Sequence, residues 1–166
     1  MNKHLLALIA CASLLLSATL AGAEGANVSF GNLKGDPTLP VEVKADSLSV
    51  DQATGSAAFT GNVVVTQGQM KLSADTVTVE YGPDKKKIAT LHATGNVLLV
   101  NATDAAKGDA AVYTVDAGTV VLTGNVLLTQ GQAAIRGGEL TVDLRTGTGR
   151  MSGGVTTTFI PAAGGN

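Results

Sequence analysis

Three aspartates recur with the rhythm of the chain: Asp46 in "ADSLSVD", Asp75 in "ADTVTVEY" and Asp109 in "GDAAVYTVD". Paired carboxylates are common equipment for general acid–base chemistry, but a catalytic pair occurs once in a fold, and these return once per repeat. They read as turn residues whose short side chains bond neighbouring backbone. His92 is the only histidine beyond the N-terminal segment, so a histidine metal cluster cannot form in one chain, and it reads as a half-exposed strand residue. "DKKK", Asp84 to Lys87, is the one basic cluster and follows the turn signal "YGP", so it reads first as a solvated hairpin tip. No catalytic residue, metal ligand or cofactor is expected, and the chain does not read as an enzyme.

The remaining reactive side chain, Cys11, is the only cysteine. It lies inside a segment, residues 1–23, that reads as a cleaved signal peptide: Lys3, an uncharged apolar run from Leu5 to Leu20, then the small-residue sequence Ala21-Gly22-Ala23. "LIAC" superficially matches a lipid-attachment box, but the apolar run continues past the cysteine, so Cys11 is expected to leave with the signal. Stability in an oxidising compartment must then come without disulfides. Export across the inner membrane to the periplasm is the implied address.

A formal net charge of −2 from 11 basic and 13 acidic residues is too balanced for a nucleic-acid partner. The vocabulary beyond residue 23 is Val, Thr and Gly, with no Trp, which suits strands and turns. No later apolar run approaches the roughly 20 residues of a spanning helix. The strands read as shorter than the about 9–11 residues a transmembrane barrel needs, and aromatic girdles are lacking.

These strands belong to a repeat. "TGNV" places glycines at Gly61, Gly95 and Gly124, with a degenerate "SGGV" at Gly153, an interval of about 30 residues that marks stacked supersecondary units. Alternation assigns faces. Phe59, Val63 and Val65 share one parity with Gly61, and Leu122, Val126 and Leu128 share the matching one with Gly124. Similar parity puts Val41, Val43, Leu48, Val50, Met70 and Leu72 inside. The same holds for Val77, Val79, Val97, Leu99, Tyr113 and Val115, and for Ile135, Val142, Val155 and Phe159. A parity break near each "AD" or "GD" element predicts a bulge or corner there. The expected fold is all-β: two antiparallel layers folded over one another, with turns such as "QATG", "YGPDKK" and "RTGTG" outside. Small inward residues suit either an ordinary filled sandwich or a solenoid-like stack with an apolar groove.

The run "LPVEVKADSLSVD…FTGNVVVTQGQMKLSADTVTVEY", then "VVLTGNVLL" and "GGVTTTFIP", resembles the LptA family of periplasmic lipopolysaccharide-export proteins, of the OstA-like domain group, from about Pro40 to Pro161. The resemblance implies a twisted, incompletely closed β-jellyroll over 40–161, preceded by a flexible segment 24–39 and followed by a disordered tail 162–166. It implies that the interior accepts the acyl chains of lipopolysaccharide, with Val41, Val43, Tyr113 and Val115 matching acyl-contact positions. It also implies head-to-tail homo-oligomers and partners among the inner-membrane and outer-membrane components of the export machine. A contact of the Lys85–Lys87 cluster with head-group phosphates is the functional alternative to the solvated tip.

The physics fits that task. An acyl chain of a dozen carbons costs roughly 10 kcal/mol to expose to water, at ~0.8 kcal/mol per methylene, and a valine and leucine wall shields it without directional contacts. The terminal segments "PVEVKA" and "VTTTFI" are weakly guarded edges suited to strand addition. Two other readings share these features: a membrane-tethered component of the same machine, which would keep its apolar N-terminus, and a purely structural self-assembling β-repeat.

Overall fold

The computed structural model describes residues 26–29, as backbone, and 34–159. The expected signal peptide with Cys11 and the expected tail 162–166 lie outside the described residues. Alternating Val, Thr and Leu drive the described chain into eleven strands: β1 Ala26–Ser29, β2 Glu42–Lys44, β3 Ser47–Asp51, β4 Ser56–Gln67, β5 Met70–Tyr81, β6 Ile88–Asn101, β7 Asp104–Thr114, β8 Thr119–Gln130, β9 Ala133–Asp143, β10 Thr148–Ser152 and β11 Thr156–Phe159. The expected short strands are corrected here, because β4 to β9 run 11 to 14 residues each. They continue through the glycine motif instead of ending at it. The stretch 101–107, short and rich in small residues, is likewise mostly strand, with its turn confined between Asn101 and Asp104.

Each strand pairs antiparallel with its neighbour along the open path β2-β4-β5-β6-β7-β8-β9-β10-β1. Besides a slip near the β5–β6 hairpin, between Glu80 and Tyr81, every long pair slips register once in mid-strand, between Thr60 and Val63, Ser73 and Thr76, Thr94 and Val97, Lys107 and Ala110, and Thr123 and Val126. At these slips Gly61, Gly95 and Gly124 and the following Asn62, Asn96 and Asn125 all hold positive φ, a bulge that bends a strand without ending it. The missing Cβ is required there. A Cβ on Gly61, Gly95 or Gly124 would collide with the carboxylate of Asp46, Asp75 or Asp109 respectively. Each carboxylate accepts from the amide of the adjoining asparagine, Asp46 from Asn62, Asp75 from Asn96 and Asp109 from Asn125, all at 2.8 Å. The repeated aspartates are corner clasps, and the repeated glycines make room for them.

The line of corners divides the sheet into two walls. One wall carries β3 on Ser56–Thr60 and β10 on Glu139–Asp143; the other carries β2 on Val64–Thr66 and β11 on Ala133–Arg136. Side chains in register form rows across each wall. One row runs Leu48, Phe59, Val77, Ala93, Ala111, Leu122, Leu140 and Met151. Its opposite number runs Val43, Val65, Leu72, Leu99, Ala106, Leu128 and Ile135. The rows meet in one buried cluster, in which each enclosed leucine contributes about 1.5–3 kcal/mol relative to exposure.

Three residues expected inside are exposed, and all lie at the ends of the stack. Leu48 is 55% exposed, Val50 61% and Phe159 74%. Their parity is inward, since Leu48 pairs with Phe59, Val50 with Ala57 and Phe159 with Ala133. No further layer among the described residues covers them, so inward-facing apolar side chains meet solvent at both ends of the stack.

Candidate functional site

Opposite the corner line the two walls present their hairpin tips to each other, and this mouth is where the interior meets the surface. Fifteen of the residues expected to line the interior are buried: Val63, Val65, Met70, Leu72, Val77, Val79, Val97 and Leu99, then Tyr113, Val115, Leu122, Val126, Leu128, Ile135 and Val142. Val41, Val43 and Phe59 are half-buried against the same cluster, as are Ile88 and Val155. The interior is closed to solvent: Tyr113, Leu72, Leu99 and Leu122 are at most 1% exposed. Leu91, Val120, Leu140, Leu144 and Met151 belong to this core as well, extending rows whose parity had been read at only some of their strands.

The stretch 24–39, expected as a flexible leader, carries β1 and a strap from Lys34 into Val41. The strap crosses the mouth. On one wall the Gly35 amide donates to the Leu144 carbonyl at 2.7 Å. On the other, the Asn101 side-chain amide donates to the Lys34 carbonyl at 3.0 Å, and the Gln67 side-chain amide reaches the Pro37 and Leu39 carbonyls at 3.1 and 2.8 Å. Gln67 is itself tied across the interior, because the Tyr113 hydroxyl donates to its Oε1 at 2.5 Å. Burial pushes the Tyr113 hydroxyl pKa up, with the Gln67 bond and the Arg145 charge acting weakly against it.

Gln67 belongs to a polar row that the sequence reading missed. Gln67, Asn101 and Asp104 are 3%, 1% and 1% exposed, and Gln130 donates to Asp104 at 3.1 Å. Their signal in the sequence was parity: Gln67 continues Val63 and Val65, and Asn101 continues Val97 and Leu99. Turn-like neighbours such as "TQGQ" hid it. The row supplies the strap's carbonyls with donors from side chains that are themselves buried, which an apolar row could not do.

Beside the strap lies a recess of about 560 Å³ whose wall includes Leu39, Val41, Ile88 and Val115. Lys86 and Lys87 form one side of its rim and Arg145 another. Lys85 turns away, its Cε 3.6 Å from where a Cβ on Gly55 would sit. His92 is a half-exposed strand residue 3.6 Å from Glu80. Among the described residues no group of three or more His, Cys, Asp or Glu side chains is placed to hold a metal ion, and no helix is long and apolar enough to cross a membrane. The sheet path ends at β1 and β2 without joining, so the described chain is an open sheet and not a closed barrel.

The sequence pattern described as "LptA/(LptD N-terminal domain) LPS transport protein" matches residues 42–148, from β2 to the start of β10. The chain belongs to this family. Among curated relatives, the lipopolysaccharide export system protein LptA of Escherichia coli (strain K12) is 37% identical over 78 residues, 47% of this chain and 37% of that protein. The lipopolysaccharide export system protein LptH of Pseudomonas aeruginosa is 41% identical over 61 residues, 37% of this chain and 34% of that protein. The aligned part thus spans little more than a third of either relative. The crystal structure of LptH, titled as the LptA-homologous periplasmic component of the lipopolysaccharide transport device of Pseudomonas aeruginosa, matches with a TM-score of 0.68 at 23% identity, covering 76% of this chain and 99% of that one. The likeness confirms the all-β, jellyroll-like architecture of this LptA-family chain.

Proposed function

We propose that this LptA-family chain is a periplasmic carrier of lipopolysaccharide, shielding lipid A acyl chains between its two walls and stacking head to tail to bridge the inner and outer membrane components of an export machine. The observation that carries the proposal is that inward-facing apolar side chains stand exposed at the two ends of the stack, Leu48 and Val50 on β3 at one end and Phe159 on β11 at the other. A monomer that functioned alone would gain from closing those ends. A second copy placed in line would cover them and extend both rows into a longer apolar track. The edges suit strand addition, since β2 and β3 each pair on one side with β4 and β11 pairs with β9.

Acyl chains enter at the mouth in this reading. The core is closed with the strap in place, so admission requires the strap to lift and the half-buried Val41, Val43, Phe59 and Ile88 to exchange protein contacts for lipid. The exchange is near neutral for apolar surface, and the lipid gains the burial of each methylene it withdraws from water.

An interior closed to solvent is also what a purely self-assembling β-repeat would show, and one experiment separates the two. A photoreactive residue at Val43 or Phe59 is expected to capture labelled lipopolysaccharide, while one at outward Val121 or Leu98 captures none. Folded protein that captures lipid at neither inner position would leave the carrier reading without support.

A further inference from the structure

Resting on the carrier reading, we infer that the recess beside the strap is the seat of the phosphate-bearing head of the amphiphile, with Lys86, Lys87 and Arg145 holding the anion while the chain lies against Ile88 and Val115. The recess joins two surfaces that seldom meet. Its wall is aliphatic, and its rim carries three cations against the single carboxylate of Asp116. An uncharged lipid would use the wall and gain nothing from the rim; a free anion would use the rim and gain nothing from the wall. A phosphorylated amphiphile uses both.

The rim is also positioned. The Arg145 amide donates to the Asp143 carboxylate at 2.9 Å, and its guanidinium donates to the Asp116 carbonyl. That bond uses one of the five donors of a guanidinium and leaves the others for an oxyanion. On the facing hairpin the Asp84 carboxylate accepts from the Lys86 amide at 3.0 Å, and Gly82 donates to the Lys87 carbonyl at 2.9 Å. The tip is thereby shaped so that Lys86 and Lys87 line the recess and Lys85 lies against the neighbouring hairpin. A run of three lysines is thus split two to one by the turn, and this split makes the proposal testable.

The test measures binding of dodecyl phosphate and of uncharged dodecyl maltoside to the folded chain by calorimetry, with inorganic phosphate as competitor. Charge-assisted bonds predict that dodecyl phosphate binds about tenfold more tightly than the maltoside at low salt, the advantage shrinking as salt is raised. The exposed double variant K86Q/K87Q should lose that advantage and keep maltoside binding, R145Q should lose part of it, and K85Q should behave as the parent. Inorganic phosphate should not displace either probe. Equal loss in K85Q, or no loss in K86Q/K87Q, would overturn the head-group seat while continued maltoside binding left the carrier reading standing. Displacement by phosphate alone would mark a free-anion site and overturn the proposal as stated. Failure of the parent to bind either amphiphile would remove both readings together.

Discussion

The hydroxyl of Tyr113, on one wall, donates to Oε1 of Gln67, on the other, across 2.5 Å, and the amide of the same Gln67 holds the strap by the carbonyls of Pro37 and Leu39. One side chain therefore joins both walls to the segment that closes the mouth between them. Replacing Gln67 by Leu leaves the buried Tyr113 hydroxyl without its partner and takes the donor from two strap carbonyls in a part-buried setting. A loss of about 2–4 kcal/mol in unfolding free energy is expected, from one to a few unsatisfied groups at about 1–3 kcal/mol each. The Gly35 amide, bonded to Leu144 on the far side of the strap, should also lose hydrogen-exchange protection by more than the global destabilisation explains. Protection that falls only in step with global stability would show that the strap is not held through Gln67.

Alkaline pH should weaken the same contact. Burial raises the Tyr113 pKa in the folded protein, so above the unfolded value of about 10 the unfolded chain loses its proton first. The stability contributed by the neutral phenol is fully present below that pH and is lost as pH rises from there towards the folded pKa. Urea unfolding measured from pH 8 to 11 should show this decline, and Tyr113→Phe should flatten the part of it due to Tyr113. A parent and variant with parallel profiles would place the alkaline sensitivity elsewhere.

The corner clasps make a third, separable prediction. Gly95 holds φ +77 and its Cβ space is taken by Asp75. Gly95→Ala should destabilise by about 1–2 kcal/mol through the left-handed backbone alone, and by more through the collision. Asp75→Ala in the same chain removes the nearest carboxylate atoms, so the double variant should be less unstable than the sum of the singles by at least about 0.5 kcal/mol. Strict additivity would mean that glycine and aspartate do not compete for one space.

Much of this architecture was legible in the sequence because a strand reports its faces by alternation. Val63 and Val65, Leu122 and Leu128 stand where parity put them, and the recurrent Asp and Gly-Asn elements announced the corners. What parity cannot report is where a stack stops. Leu48, Val50 and Phe159 carry the inward pattern and are exposed, because burial depends on a next layer that the described residues do not supply. Nor does hydropathy reveal a polar residue that is buried to serve another segment. Gln67 and Asn101 look like turn residues until the strap's carbonyls are seen beside them. The strap itself has no periodicity, since its conformation is set by distant side chains.

The two uncovered ends give the final prediction. Leu48 and Val50 lie at the N-terminal end of the stack and Phe159 at the opposite end, so contact between copies through these ends would be heterologous and the assembly open-ended. A glutamate in place of either exposed residue should leave the monomer folded, because neither side chain is in the core, and should block one end only. Leu48→Glu and Phe159→Glu alone should each sediment as monomers at concentrations where the parent forms longer species. Mixed in equal amounts they should form dimers and nothing larger, because each partner retains one intact end and the two intact ends are complementary. A mixture that stays monomeric, or single variants that still form chains, would show that copies do not meet through these ends and that the exposed rows serve another partner.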